Sequence, residues 1–208
     1  MSKEYWKPGN MLYPVPAVMV SCGREGETPN IITVAWAGTI CSDPAMVSIS
    51  VRKERFSHSI IRDTGEFVIN LVNKRLVRAA DYCGVKSGGD VDKFKETRLT
   101  PQASRYVKAP GVEESPVNIE CKVVEIKELG SHDMFIAKVM GVTIDNQYMD
   151  DRGKFNLNAS GLVNYSHGEY FELGKKLGSF GYSVKKTIKK RKTSAAPAKK
   201  GRNTSKKK

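Results

Sequence analysis

The sequence lacks an apolar run long enough to cross a bilayer: Val15–Cys22 and Met134–Ile144 are too short or too interrupted for the roughly 20 apolar residues a membrane helix needs. No membrane insertion is expected. The start, MSKEYWKPGN, mixes charge with Pro and Gly where a signal peptide needs an unbroken apolar region, which predicts a cytoplasmic location. Cysteine is sparse, with four residues, Cys22, Cys41, Cys83 and Cys121, and no CxxC. Zinc sites and dithiol redox centres need close pairs, and secreted disulfide frameworks are denser in smaller chains. The thiols are therefore expected to be reduced, with Cys22 and Cys121 packing as small hydrophobes. His58, His132 and His167 form no HExxH or other local ligand pair, so a metal site has no positive support. Neither a P-loop nor a GxGxxG appears, and Gly84, Gly88 and Gly89 have the wrong spacing for one, which disfavours a stable Rossmann dinucleotide site.

What is present is an ordinary globular composition, 39% hydrophobic and 27% charged over 208 residues, enough for one domain or at most two around a real core. The net charge of +13 suggests a nucleic-acid binder until it is located. From Ser183 to Lys208 there are ten Lys, two Arg and no acid, leaving 23 bases against 22 acids in the rest. The basicity belongs to the tail, which has no apolar face to repay the entropy of ordering and reads as disordered over 179–208. It is either a solubilising appendage or a nonspecific contact for polyanions, bound by counterion release with a steep salt dependence. Nothing aromatic is interleaved with its lysines, which argues against a single-strand stacking platform.

The body, 1–178, reads as strands at Val15–Cys22, Asn30–Ala37 and Ala45–Arg52, with a turn at Ser42-Asp43-Pro44. Phe56, Ile60 and Ile61 mark a short helix ending at Gly65. Glu66–Leu71 is a strand, and Leu76, Val77, Ala80 and Cys83 mark a second helix stopping at Gly84. Ser87–Phe94 reads as a Gly-rich loop, and Asn118–Leu129 with Asp133–Ile144 as a long hairpin. Without regular βαβ alternation, a mainly antiparallel barrel with peripheral helices is expected.

One segment could hold an anion. Ser50–Ser59, SVRKERFSHS, joins a strand end to a helix start and carries Arg52, Lys53 and Arg55 beside Ser57. Free helix N–H groups, a hydroxyl and a guanidinium suit a phosphate; equally, Ser57 is an N-cap and the bases a solvated rim. Lys93, in GGDVDKF, is a second anion ligand or a solvated loop lysine. Trp36 sits among small residues, Thr33-Val34-Ala35-Trp36-Ala37-Gly38, and either borders an aromatic ligand or fills the barrel. His132 opens the last long strand, at a barrel mouth or in a surface turn.

Taken together, the stretch from Pro14 through Asp43-Pro44 to Gly65-Glu66-Phe67-Val68-Ile69-Asn70-Leu71 resembles the flavin reductase-like family of FMN-binding split barrels, and most of all its flavoredoxin branch. The resemblance runs from about Tyr13 to Gly178 and rests on the order and spacing of individually loose motifs. It implies a six-stranded antiparallel Greek-key barrel, a homodimer, and noncovalent FMN near the subunit interface. It also implies cofactor-binding roles: Asn30 as an FMN contact, Trp36 beside the isoalloxazine, and Thr33 and Ala35 at the ring's polar edge. Ser57 matches a phosphate ligand with Arg52 adjoining, Lys93 and His132 match residues near the cofactor, and Tyr165 matches an aromatic that covers it. No catalytic acid or base is expected, because hydride and electron transfer are the flavin's own chemistry.

The implied activity is that of an FMN oxidoreductase or electron-transfer protein, fed by NADH or NADPH as a transient donor or by a redox-protein partner. Two alternatives stand beside it: an NAD(P)H:flavin oxidoreductase releasing reduced flavin, and a non-catalytic flavin-binding protein. The Lys-rich tail lies outside the resemblance.

Overall fold

The computed structural model describes residues 1–185, and the chain divides into two units, Met1–Gly174 and Lys175–Lys208. The expected disordered tail falls, for residues 186–208, outside the described residues. The described part of the second unit contains a 3-10 turn, Tyr182–Val184.

In the first unit run β1 (Val15–Pro16), β2 (Val18–Cys22), β3 (Asn30–Val34), β4 (Ala37–Ser42) and β5 (Ala45–Arg52). Next come α1 (Phe56–Thr64), β6 (Glu66–Leu71), α2 (Val77–Val85) and α3 (Lys93–Thr97). The short β7 (Pro101–Gln102) and β8 (Gly111–Val112) precede the long β9 (Val117–Leu129) and β10 (His132–Ile144). A hairpin of β11 (Val163–Ser166) and β12 (Glu169–Glu172) follows.

The main sheet has the order β3-β2-β6-β9-β10-β5-β4, with every neighbouring pair antiparallel. Its two edge strands, β3 and β4, are consecutive in the chain and separated only by Ala35 and Trp36. The Ser50 N–H donates to the Trp36 carbonyl at 2.8 Å across this bend. One bent run, 30–42, thus passes from one edge of the sheet to the other and closes it into a barrel. Counted once, it gives the six strands that the resemblance implies.

Side-chain alternation explains two cores rather than one. Val18, Val20 and Cys22 of β2 and Ile32 and Val34 of β3 point into the barrel, against Ile49, Phe67 and Phe135. Met19 and Ile31 point outward, where Ala80 and Cys83 of α2 and Phe94 of α3 cover them. Buried on both faces, β2 reads as VMVSC with no apolar–polar alternation, and even its one polar residue, Ser21, is buried. α1 ends as its sequence indicates: Gly65 takes the left-handed conformation, φ 66°, and its N–H donates to Ile61 O at 2.9 Å.

Several boundaries differ from the sequence reading. Val15–Cys22 is interrupted at Ala17, so β1 leaves the barrel to pair with β11. α2 runs through Gly84 to Val85. Ser87–Phe94 is not all loop, because the Asp92 carboxylate accepts the Lys95 N–H at 3.1 Å and caps a helix that begins at Lys93. The sequence pattern predicts neither β4 nor the β11–β12 hairpin, whose turn residues His167 and Gly168 both have positive φ, as a tight hairpin turn requires.

Candidate functional site

The bend at Ala35–Trp36, the end of β5 and the start of β10 enclose a cleft of about 480 Å³. Thr33, Ala35, Trp36, Arg52 and His132 all line it, together with Glu54, Arg55 and Gly84. Arg52 and His132 meet because they are opposite each other in the β5–β10 register. A smaller cavity of about 120 Å³ adjoins the cleft and shares Ile32, Glu54 and Arg55 with it. Ser57 and Lys93 line this second space, with Lys86, Ser87 and Gly88. Residues far apart in sequence thus form one continuous trough.

The small cavity sits at the start of α1. The N-cap is Arg55, not Ser57, and it makes no side-chain cap; its guanidinium donates instead to the Gly84 carbonyl, joining α1 to α2. Ser57 is the second helical residue, buried, and its hydroxyl accepts from Asn30 Nδ2 at 2.7 Å. The leading N–H groups of α1 precede its first i→i−4 bond, so the positive end of the helix adjoins the same space. Gly88 closes it from the loop side, where an added Cβ would lie 2.5 Å from Asn30 Cγ.

Lys93 is 2% exposed rather than a solvated loop residue, and Nζ donates to Ile31 O at 2.7 Å and Cys83 O at 2.8 Å. An ammonium carries three donors, so one remains for a ligand. Burial pushes its pKa down to about 8; nearby Cys83 opposes this, while the charge of Arg55 adds to it. At neutral pH it is still mostly a cation. Burial pushes the Cys22 thiol up to about 12 and the Cys83 thiol to about 11, so both stay neutral beside it. Together with Cys121 they are buried free thiols.

At the other end, burial holds the His132 ring below the ordinary histidine range, helped by the charge of Arg52 and opposed by Glu54. This favours the neutral imidazole, whose Nδ1 lies 2.8 Å from Ser131 Oγ. Arg52 pairs with Glu54 at 3.4 Å, both side chains more than half exposed. Behind the site, His58 Nε2 lies 2.8 Å from Asp133 Oδ2, tying the first turn of α1 to β10. Asp133 is fully buried; Lys53 and Arg62 approach it at 3.4 and 3.8 Å. Burial acts to raise this carboxyl, but the His58 hydrogen bond and the Lys53 ion pair prevail and hold it below the ordinary value.

Tyr165 does not line the cleft. It stands on β11 opposite Val15, and its ring contacts Tyr13 at 6.3 Å between centroids; Tyr13 in turn meets Trp36 at 5.9 Å. It is one ring removed from the site because β1 and β11 form a separate small sheet beside the barrel. Arg55, named from the sequence only as one base of the SVRKERFSHS segment, lines both spaces, whereas the part of Lys86, Ser87 and Gly88 was not read from the sequence. The only signal for the latter was the Lys-Ser-Gly-Gly composition of the loop.

A small cavity at a helix N-terminus with cationic donors is thus continuous with a ligand-sized cleft edged by Trp36, an arrangement that suits an anionic group at one end and a flat apolar one at the other. The sequence model of the flavin reductase like domain matches residues 10–174, and the chain belongs to that family of flavin-dependent oxidoreductases. Among solved structures, flavoredoxin of Desulfovibrio vulgaris (Miyazaki F) is 33% identical, covering 88% of this chain and 100% of that one with a TM-score of 0.82. Flavoredoxin from Methanosarcina acetivorans is 25% identical over the same shares, with a TM-score of 0.77. An uncharacterised protein of Pyrococcus abyssi is 32% identical over 160 residues, 77% of this chain and 91% of that one.

Proposed function

We propose that the protein binds FMN noncovalently in this trough and works as an electron carrier or oxidoreductase, taking electrons from NADH, NADPH or a reduced redox protein. The observation that carries the reading is the continuity of the small basic cavity with the larger cleft through Ile32, Glu54 and Arg55. The donor set fits. Ser57, Arg55, Lys93 and the α1 N–H groups would hold the phosphate, a dianion that suits directed, charge-assisted donors. Asn30 would orient the Ser57 hydroxyl, and Thr33, Ala35 and Trp36 would face the ring, with Arg52 and His132 at its rim. When bound, the flavin supplies the redox chemistry, and the chain supplies position and a partly dry surrounding. The cleft is open to solvent at the Arg52 and His132 end, which favours an exchanging partner over simple storage.

A homodimer accompanies this reading, because the β9–β10 hairpin leaves Val124, Leu129, Val142 and Ile144 exposed, apolar surface that a second copy would cover. The basic tail is assigned no part in the flavin chemistry beyond nonspecific contact with polyanions. No described helix is long and apolar enough to cross a membrane.

The test is an absorption spectrum followed by anaerobic titration with NADH and NADPH. A yellow protein bleached rapidly by one of them is a nicotinamide-dependent oxidoreductase. One inert to both yet reduced by dithionite is a carrier fed by another redox protein. A protein that stays colourless after incubation with FMN overturns the proposal.

A further inference from the structure

The outer face of α2 and the end of α3 enclose a cleft of about 740 Å³ whose lining carries more cations than carboxylates. It is separate from the flavin trough, which it meets only at Lys86. Four cations line it: Arg75 in the turn before α2, Arg78 in the first turn of α2, Lys86 at its C-cap, and Arg98 just beyond α3. None of the four has a carboxylate within 4.0 Å among the described residues, and 186–208 contain no Asp or Glu.

Arg98 adds an independent observation. Its backbone is left-handed, φ 56°, at the C-cap of α3, a position where glycine is the low-cost residue. A long cationic side chain is held there at the expense of backbone strain.

The rest of the lining narrows the ligand. Tyr82, Ala79 and Val85 offer an apolar wall. Asp81 already accepts from the Tyr170 hydroxyl at 3.3 Å, while Glu96 has no partner among the described residues. A carboxylate would repel a bare anion but would accept from the hydroxyl or amino groups of an organic one. Arginines grip phosphates through paired donors, and the volume falls in the range of small-molecule sites.

We propose that this cleft binds a nucleoside diphosphate group, its phosphates held by Arg75, Arg78 and Arg98 and its base lying on the apolar wall at Tyr82. The site is independent of the flavin reading. The test is calorimetric titration of the full chain with ADP, AMP and pyrophosphate, with and without added FMN. ADP is expected to bind one to one whether FMN is present or not, at least about tenfold tighter than AMP or pyrophosphate. Arg78→Gln and Arg98→Gly are each expected to weaken ADP about tenfold, the worth of one charge-assisted contact. Arg98→Gly should melt no lower than the parent, because glycine relieves the left-handed backbone, and FMN affinity should be unchanged in both. Displacement of ADP by NAD⁺ would identify the source as a dinucleotide, and its absence a free diphosphate. Pyrophosphate binding as tightly as ADP, ADP binding abolished by FMN, or ADP affinity unaltered in both variants would overturn the proposal; the last would leave the unchanged basic tail as the binder.

Discussion

The two ends of the trough are held in opposite ways. At the α1 end, the side chains are tied to the protein before any ligand arrives: Asn30 to Ser57, Lys93 to two carbonyls, Arg55 to Gly84. At the other end, Arg52 is exposed with an exposed partner, and Trp36 leans on Tyr13 alone among the described rings. Groups fixed during folding lose little entropy on binding, so affinity belongs at the phosphate end. On the proposed reading the ring end would admit a second molecule, and looser walls would serve that.

The largest break in this asymmetry should come from Gly88→Ala. Gly88 does not occupy a left-handed conformation, so alanine strains no backbone there, but its Cβ collides with the buried Asn30 amide. Overpacking of this kind costs about 1–3 kcal/mol, and the loop or Asn30 must move out of register with Ser57. FMN affinity, followed by flavin fluorescence quenching, should fall on the order of 100-fold. The neighbouring Gly89→Ala is the control: its Cβ would meet Phe56 Cδ2 at an ordinary 3.4 Å, and affinity should hold.

Lys93→Met comes next, with FMN weakened about 10- to 100-fold through loss of one charge-assisted hydrogen bond. It also carries a pH signature. In the free protein Lys93 loses its proton near pH 8, so FMN affinity should decline as pH rises through 8, and the decline should be absent in Lys93→Met. Stability moves the other way. The folded value, about 8, lies below the ordinary 10.5, so between these the unfolded chain binds more protons and the fold gains stability with rising pH. The gain is at most about 3 kcal/mol. Denaturant melts at pH 7.5 and 10 should show it in the parent and not in the variant; equal slopes would mean that the Lys93 ammonium is not strained by burial.

Much of this was legible in the residues, and what was not has physical reasons. Strands with one buried face and the helix closed by Gly65 announce themselves by period and by turn chemistry. The barrel's closure does not, because it depends on a bend at Ala35–Trp36 inside what reads as one strand, followed by AGTICS, which has no apolar alternation. Lys93 looked like any loop lysine because its burial comes from β3 and α2, distant in sequence; the nearby Asp92 cap was the one local hint. Ser57 was legible as a helix-start hydroxyl, yet its partner Asn30, 27 residues away, was not. The His58–Asp133 pair was missed outright, although an aspartate entering an apolar strand, HDMFIAKVM, is unusual enough to ask for a buried partner.

The smallest expected effects are at the ring end, and their order tests where the aromatic contact lies. Trp36→Ala removes the ring that borders the cleft and should weaken FMN about 3- to 10-fold, the usual worth of an aromatic contact. Tyr165→Ala should cost less, about twofold or under, because Tyr165 reaches the cleft only through Tyr13. The Trp36→Ala/Tyr165→Ala pair should then fall short of additive, since once Trp36 is gone the support that Tyr165 gives through Tyr13 has nothing to act on. If instead Tyr165→Ala costs as much as Trp36→Ala and the two add, Tyr165 covers the cofactor directly. The β11–β12 hairpin would then have to move over the cleft when the ligand enters, and the loose end of the trough would be a closing one.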